Sequence, residues 1–207
     1  MKAFESHLNK GEIEEAKKAL NSIDKDLEPS VYWFSMGQVY AKDNNWADAR
    51  IAFLKSHKIF PRQETIDNLE IIEKKLVVSE VEAPRSIKDH LINSTYFIGA
   101  ELALTLNLAL LILGLWNFKK SKNLRHFLMI TVVMVMLSGL SLWSRHWPWS
   151  VAEQEVDVYH GPSEIFDKVQ VVPKGIKFLG LEKDSWIKII YPSRFEGWVK
   201  KENISEL

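Results

Sequence analysis

Apolar residues follow three different spacings along the chain. Up to about residue 78 they recur every three to four positions, as in Trp33, Met36 and Tyr40 or in Ile66, Leu69, Ile72 and Leu76, which predicts amphipathic helices. Between 96 and 143 the period gives way to two nearly continuous apolar runs, "YFIGAELALTLNLALLILGLWNF" (96–118) and "FLMITVVMVMLSGLSLW" (127–143). From 150 onward apolar and polar positions alternate in short runs divided by Gly, Pro, Asp and Ser, the pattern of antiparallel strands. The expected fold class is multi-domain: an all-α helical repeat over 1–78, a linker over 79–95, a two-helix transmembrane hairpin, and a small all-β barrel over 150–207.

The first apolar run, at 1.5 Å per residue, spans about 30 Å, the thickness of a bilayer's hydrocarbon core. The second carries no charge at all and reaches the interface through its flanks. Between them, loop 119–126 holds Lys119, Lys120, Lys122 and Arg125 with no acid, so the positive-inside rule places it in the cytoplasm. Both termini are then expected outside the cytoplasm, with the chain a two-pass protein of a bacterial inner membrane. The opening "MKAFESHLNKGEIEEAKKAL" has no apolar stretch before a small-residue cleavage site, so either an export signal is expected upstream of it or the topology is reversed, the first being the preferred reading. Within the first run Glu101 is expected to snorkel to the interface, and Asn107 to hydrogen-bond at mid-membrane. Trp143, Trp147 and Trp149, with Tyr96 and Trp116, read as aromatic belts, which makes 127–147 the second span with its aromatic interface.

Residues 31–61, "VYWFSMGQVYAKDNNWADARIAFLKSHKIFP", resemble the tetratricopeptide repeat. Trp33, Met36, Gly37 and Tyr40 take the first-helix positions, Ala49 and Phe53 the second-helix positions, and Pro61 the closing one. Gly37 is expected to admit close approach of the second helix. The resemblance implies a peptide-binding concave face lined by Val31, Phe34, Gln38, Ala41 and Lys42. The strand-rich segment resembles the bacterial SH3 domain through Gly161-Pro162-Ser163, Pro173-Lys174-Gly175, Trp186 and Gly197-Trp198-Val199. There Tyr159, Tyr191 and Trp198 are the candidates for an aromatic groove taking an extended peptide or a cell-wall stem peptide.

Charge and chemistry narrow the function further. Twenty-seven basic residues balance twenty-seven acidic ones, which removes the general attraction that a nucleic-acid partner exploits. Cysteine is absent, excluding disulfides and thiolate catalysis. The six histidines are scattered without metal-ligand spacing, and neither a G-x-S-x-G elbow nor a phosphate-binding G-x4-G-K loop occurs. No catalytic residue, metal site or cofactor is expected.

In order and content the modules resemble the BatE-type proteins of the Bacteroides aerotolerance group. That resemblance implies a non-catalytic scaffold linked to oxidative-stress tolerance, with von Willebrand factor A-type Bat proteins and a MoxR-type ATPase as partners beside the lipid bilayer. The alternative expectation is a receptor that binds peptidoglycan through its SH3-like domain.

Overall fold

The computed structural model describes residues 1–76, 78–97 and 147–207, together with isolated positions between 105 and 139. It forms two compact units, one of residues 1–83 with 148–207 and the other of residues 84–147.

In the first unit the helical spacing yields α1 (Lys2–Lys10), α2 (Ile13–Asn21), α3 (Pro29–Lys42), α4 (Trp46–Ile59), α5 (Gln63–Leu76) and the short α6 (Val78–Val81). Each boundary has a local cause. Gly11 ends α1 in the left-handed region at φ 77°, and Pro29 opens α3 at a position where its missing N–H is not needed. Asn45 caps α4, its side-chain oxygen accepting the Asp48 N–H at 3.4 Å. Where α3 crosses α4, Gly37 is buried, and a Cβ there would lie 2.8 Å from the Phe53 ring. The helices bury Phe4, Leu20, Met36 and Val39 in one cluster and Phe53, Leu54, Leu69 and Ile72 in a second.

The alternating C-terminal segment supplies β1 (Trp149–Ala152), β2 (Val156–Tyr159), β3 (Lys168–Val172), β4 (Lys177–Lys183), β5 (Trp186–Tyr191), β6 (Gly197–Lys200) and β7 (Ile204–Glu206). They make a seven-stranded antiparallel sheet in the order β3-β2-β6-β5-β4-β1-β7, compatible with a small barrel. Its core holds Val158, Val172, Phe178, Ile187, Ile189 and Val199, and α6 contributes Val78 to the same cluster. On β1 the alternation serves two cores. Ala152 points into the sheet's own cluster, while Val151 joins the cluster of α4 and α5.

A buried arginine ties these layers together. Arg50, at 0 % exposure on α4, forks onto Glu82 just beyond α6, with Nη1 donating to Oε1 at 2.8 Å and Nη2 to Oε2 at 3.0 Å. Nη2 also donates to Glu73 of α5 at 2.9 Å, and Nη1 to the carbonyl of Gly175, 125 positions along the chain. Glu82 in turn accepts the Lys177 N–H of β4 at 2.8 Å, and its carbonyl accepts the Tyr191 hydroxyl at 3.0 Å. Burial lowers the guanidinium's pKa, but Glu82 and Glu73 more than offset it, so the net shift is upward and Arg50 stays charged.

Three expectations are corrected. The helices do not form a tetratricopeptide repeat followed by a transmembrane hairpin. Directly after α5 the short α6 sends Val78 into the core of the sheet. Among the described residues no helix is long and apolar enough to cross a membrane. The runs 96–118 and 127–143 and the basic loop 119–126 lie almost wholly outside the described residues, and the two-pass inner-membrane placement that rested on them falls. Trp149, expected in an interfacial belt, opens β1 at 4 % exposure with its ring edge-on to Tyr191 at 5.8 Å. Its neighbouring apolar run had suggested a lipid setting, but its own strand buries it.

In the second unit α7 (Ile87–Phe97) starts with a reciprocal cap: Asp89 N–H donates to Ser86 Oγ at 3.0 Å, and Ser86 N–H to Asp89 Oδ2 at 3.2 Å.

The Arg50 arrangement yields a direct stability test. Arg50→Met leaves Glu82 without its buried counter-charge and is expected to destabilise the protein by about 3–5 kcal/mol. Urea unfolding measures this, and a midpoint equal to wild type refutes the role.

Candidate functional site

Val158 and Val199 point into the sheet core, so their neighbours Tyr159 and Trp198 stand on its outer face. Strand register places these two directly opposite one another on β2 and β6. The row continues to Lys168 on β3, and on the other side through Lys188 of β5 to Leu181 of β4. Tyr159 and Trp198 are half-buried, and Leu181 is 57 % exposed. Trp186, two residues before Lys188 on the same face of β5, flanks the row with its ring edge-on to Tyr159 at 5.6 Å, which holds the tyrosine in place.

The charges in this row are unequally engaged. Lys168 pairs with Asp157 at 2.6 Å, and Lys200, two residues beyond Trp198, pairs with Glu164. Both lysines are held above their ordinary range, chiefly by those hydrogen bonds. Lys188 makes no ion pair among the described residues, and its ammonium sits 6.0 Å from the Trp198 ring centroid. The face thus offers two aromatic platforms, an exposed leucine and an available cation in one line.

The other sequence candidates are placed differently. Tyr191 does not join this face: at 5 % exposure its hydroxyl is spent on Glu82 and its ring on Trp149. On α3, Phe34 meets Phe53 edge-on at 5.5 Å, and both Phe34 and Ala41 pack against the α4–α5 cluster. Val31 and Gln38 are half-buried and Lys42 is exposed. Glu101 and Asn107 lie outside the described residues. Among the described residues no group of acids and histidines could hold a metal.

A second concavity was not foreseen from sequence. A cleft of about 300 Å³ lies between the α3–α4 pair, through Trp33, Lys55, Lys58 and Ile59, and strand β7, through Ser205, Glu206 and Leu207. Lys55 stacks its ammonium 4.6 Å from the Trp33 centroid and pairs with Glu153 at 3.0 Å. Burial, and then the like charge of Lys177, lower the pKa of both His57 and Lys58. The two walls are separated by well over a hundred positions in sequence, so no local motif announces them. Lys188 was legible: a lysine between Ile187 and Ile189 on a strand must face outward.

No family model matches the chain, and comparison with curated proteins and with solved structures finds no similar protein.

His57 gives a pH signature. Its Nδ1 is buried with no hydrogen-bond partner among the described residues, and the folded state favours the neutral ring. Below its ordinary value of 6.5 the unfolded chain takes up a proton that the folded chain resists, so stability falls as the pH drops from there. Above that value the group contributes no slope. Urea midpoints measured from about pH 7 to pH 5 are expected to decline less steeply in His57→Gln than in wild type.

Proposed function

We propose that the chain is a non-catalytic adaptor that binds an extended peptide of another protein on the outer face of its sheet. The observation that carries this reading is the cross-strand pair Tyr159–Trp198 with Lys188 beside it. Alternate side chains of an extended segment lie on one side about 7 Å apart, a spacing that a row of neighbouring strands accommodates. Apolar side chains would rest on the two rings, and a carboxylate would meet the lysine that has no ion pair among the described residues. The role requires no catalytic residue, and none is assigned.

The helical layer supports the same reading. Trp186 braces Tyr159 edge-on from the neighbouring strand position, and the Arg50–Glu82 link braces the sheet from the helices, so the aromatic face is organised before a ligand arrives. Preorganisation of this kind lowers the entropic cost of association. Segments of von Willebrand factor A-type Bat proteins are the first peptides to try, given the sequence resemblance; peptidoglycan stem peptide is the competing ligand.

Selection from a displayed library of extended peptides tests the proposal. Peptides enriched by the wild-type chain are expected to bind Trp198→Ala at least about tenfold more weakly, a loss of about 1.4 kcal/mol, while the unfolding midpoint stays near wild type. Retention of purified cell wall with no peptide enrichment favours the receptor reading. An enriched set indifferent to both Trp198 and Tyr159 defeats the proposal.

A further inference from the structure

Lysines on the outer face of the sheet are of two kinds. Lys168 of β3 and Lys200 of β6 are neutralised where they stand, the first by Asp157 at 2.6 Å and the second by Glu164. Lys188 of β5 and Lys183 of β4 make no ion pair among the described residues. Register brings these two together: Leu181 lies opposite Lys188 and Lys183 opposite Trp186, which makes the lysines diagonal neighbours on one face, about 7 Å apart. Acids close by in sequence do not answer them. Glu182 is held by Lys201 at 2.8 Å, and Asp184, in the hairpin turn at φ 57°, pairs with neither lysine. The opposite end of the face is apolar. Glu164 draws the loop that follows Tyr159 onto this side of the sheet by its bond to Lys200, and the next residue, Ile165, is 94 % exposed. Phe166 lies against Gly161, where a Cβ would come within 2.5 Å of its ring, so Ile165 is the apolar group that the loop projects.

We infer that this face reads the charge pattern of its ligand: the peptide it takes is apolar where it lies by the β2–β3 loop and carries two carboxylates, on alternate residues, where it lies over the β4–β5 hairpin. The inference deepens the peptide-binding reading of the Tyr159–Trp198 face and rests on it. Charge complementarity selects the acids. Lys183 and Lys188 are close enough to repel one another, and a carboxylate placed against each removes that repulsion without displacing an existing ion pair. Carboxylates at the other end would meet lysines already engaged by Asp157 and Glu164 and would gain little. Spacing agrees with charge. Alternate residues of an extended chain place side chains on one side about 7 Å apart, which matches the diagonal separation of the two lysines. An apolar residue resting on Trp198 and Ile165 is then followed by an acid two positions on, over Lys188, and by another four positions on, over Lys183. Lys188 already stands 6.0 Å from the Trp198 ring centroid, so the first acid and the apolar residue bind side by side. The unequal ends also give the ligand one direction across the strands.

Selection of random displayed peptides on the full-length chain, as wild type and as the double variant Lys183→Glu/Lys188→Glu, tests this. Wild type is expected to enrich an apolar residue followed by Asp or Glu two and four positions on, and the double variant to enrich Lys or Arg at those same two positions. A misfolded chain gives no such exchange of preference. A peptide synthesised to the wild-type consensus is expected to bind about tenfold more weakly when its two acids are replaced by their amides, with a difference that shrinks as salt rises. Ile165→Ser is expected to weaken the consensus peptide about threefold while the urea midpoint stays at the wild-type value, because the side chain it removes is already in water. Enriched peptides that require Trp198 but show no acidic pattern, or that keep the same pattern in the double variant, overturn the inference and leave the peptide-binding reading standing. Absence of any enrichment that depends on Trp198 overturns both. Retention of purified cell wall that depends on the two lysines, with no acidic peptide enriched, also overturns the inference.

Discussion

One guanidinium decides how this chain folds. Arg50 has no exposed surface, and a charge so placed is tolerable only where its counter-ions and hydrogen-bond acceptors are already fixed. Its partners come from three separate parts of the chain: Glu73 on α5, Glu82 after α6, and the Gly175 carbonyl before β4. Placing them together forces the N-terminal helices and the C-terminal sheet into a single unit, although residues 84–147 separate them in sequence. The fork onto Glu82 fixes the end of α6, and that position delivers Val78 to the sheet core and the Glu82 carbonyl to Tyr191. Desolvation of the ions makes the arrangement costly to form and its partial loss more costly still, which favours an all-or-none association of the two layers.

That union determines which surfaces remain for partners. Tyr191 on β5 is consumed by it, and Trp149 and Val151 are buried on β1. Tyr159, Trp198, Lys188 and Leu181 escape it: they stand together on the outer face of the sheet and stay half-buried or exposed among the described residues. The β7 cleft exists only because a helix pair lies beside a sheet edge, so neither layer alone would possess it.

Legibility in the sequence followed the range of the interaction. Local spacing reveals the α3–α4 pair: Gly37 opposite Phe53 is the contact that a small residue facing an aromatic predicts. Alternation likewise reveals the strands, since Ile187 and Ile189 are buried while Lys188 is not. Long-range events left fainter marks. Arg50 falls on the same helical stripe as Trp46 and Phe53, a position where a charge signals a buried partner, but nothing local identifies Glu82 as that partner. α6 is only four residues, "VSEV", in a charged stretch that reads as linker; its burial depends on strands about seventy or more positions later. Tyr191 looked like a groove residue because an aromatic at a strand end is read from its own sheet, not from the helix laid over it. Phe34 and Ala41 looked like concave-face residues because the repeat pattern presumes a face left open to a ligand, where both pack against the α4–α5 cluster.

The rigid union also changes the kind of adaptor the chain can be. Two modules on a flexible tether gain from one another through effective concentration, which depends on tether length and tolerates many partner geometries. Contacts on one packed body have a fixed separation and orientation, so a partner that engages them together must present its groups at a matching spacing, and most partners will not. Selectivity then resides in geometry rather than in any single contact's chemistry, and each contact can afford to be shallow and weak. An open row of two rings and a lysine has the modest strength that such a design requires.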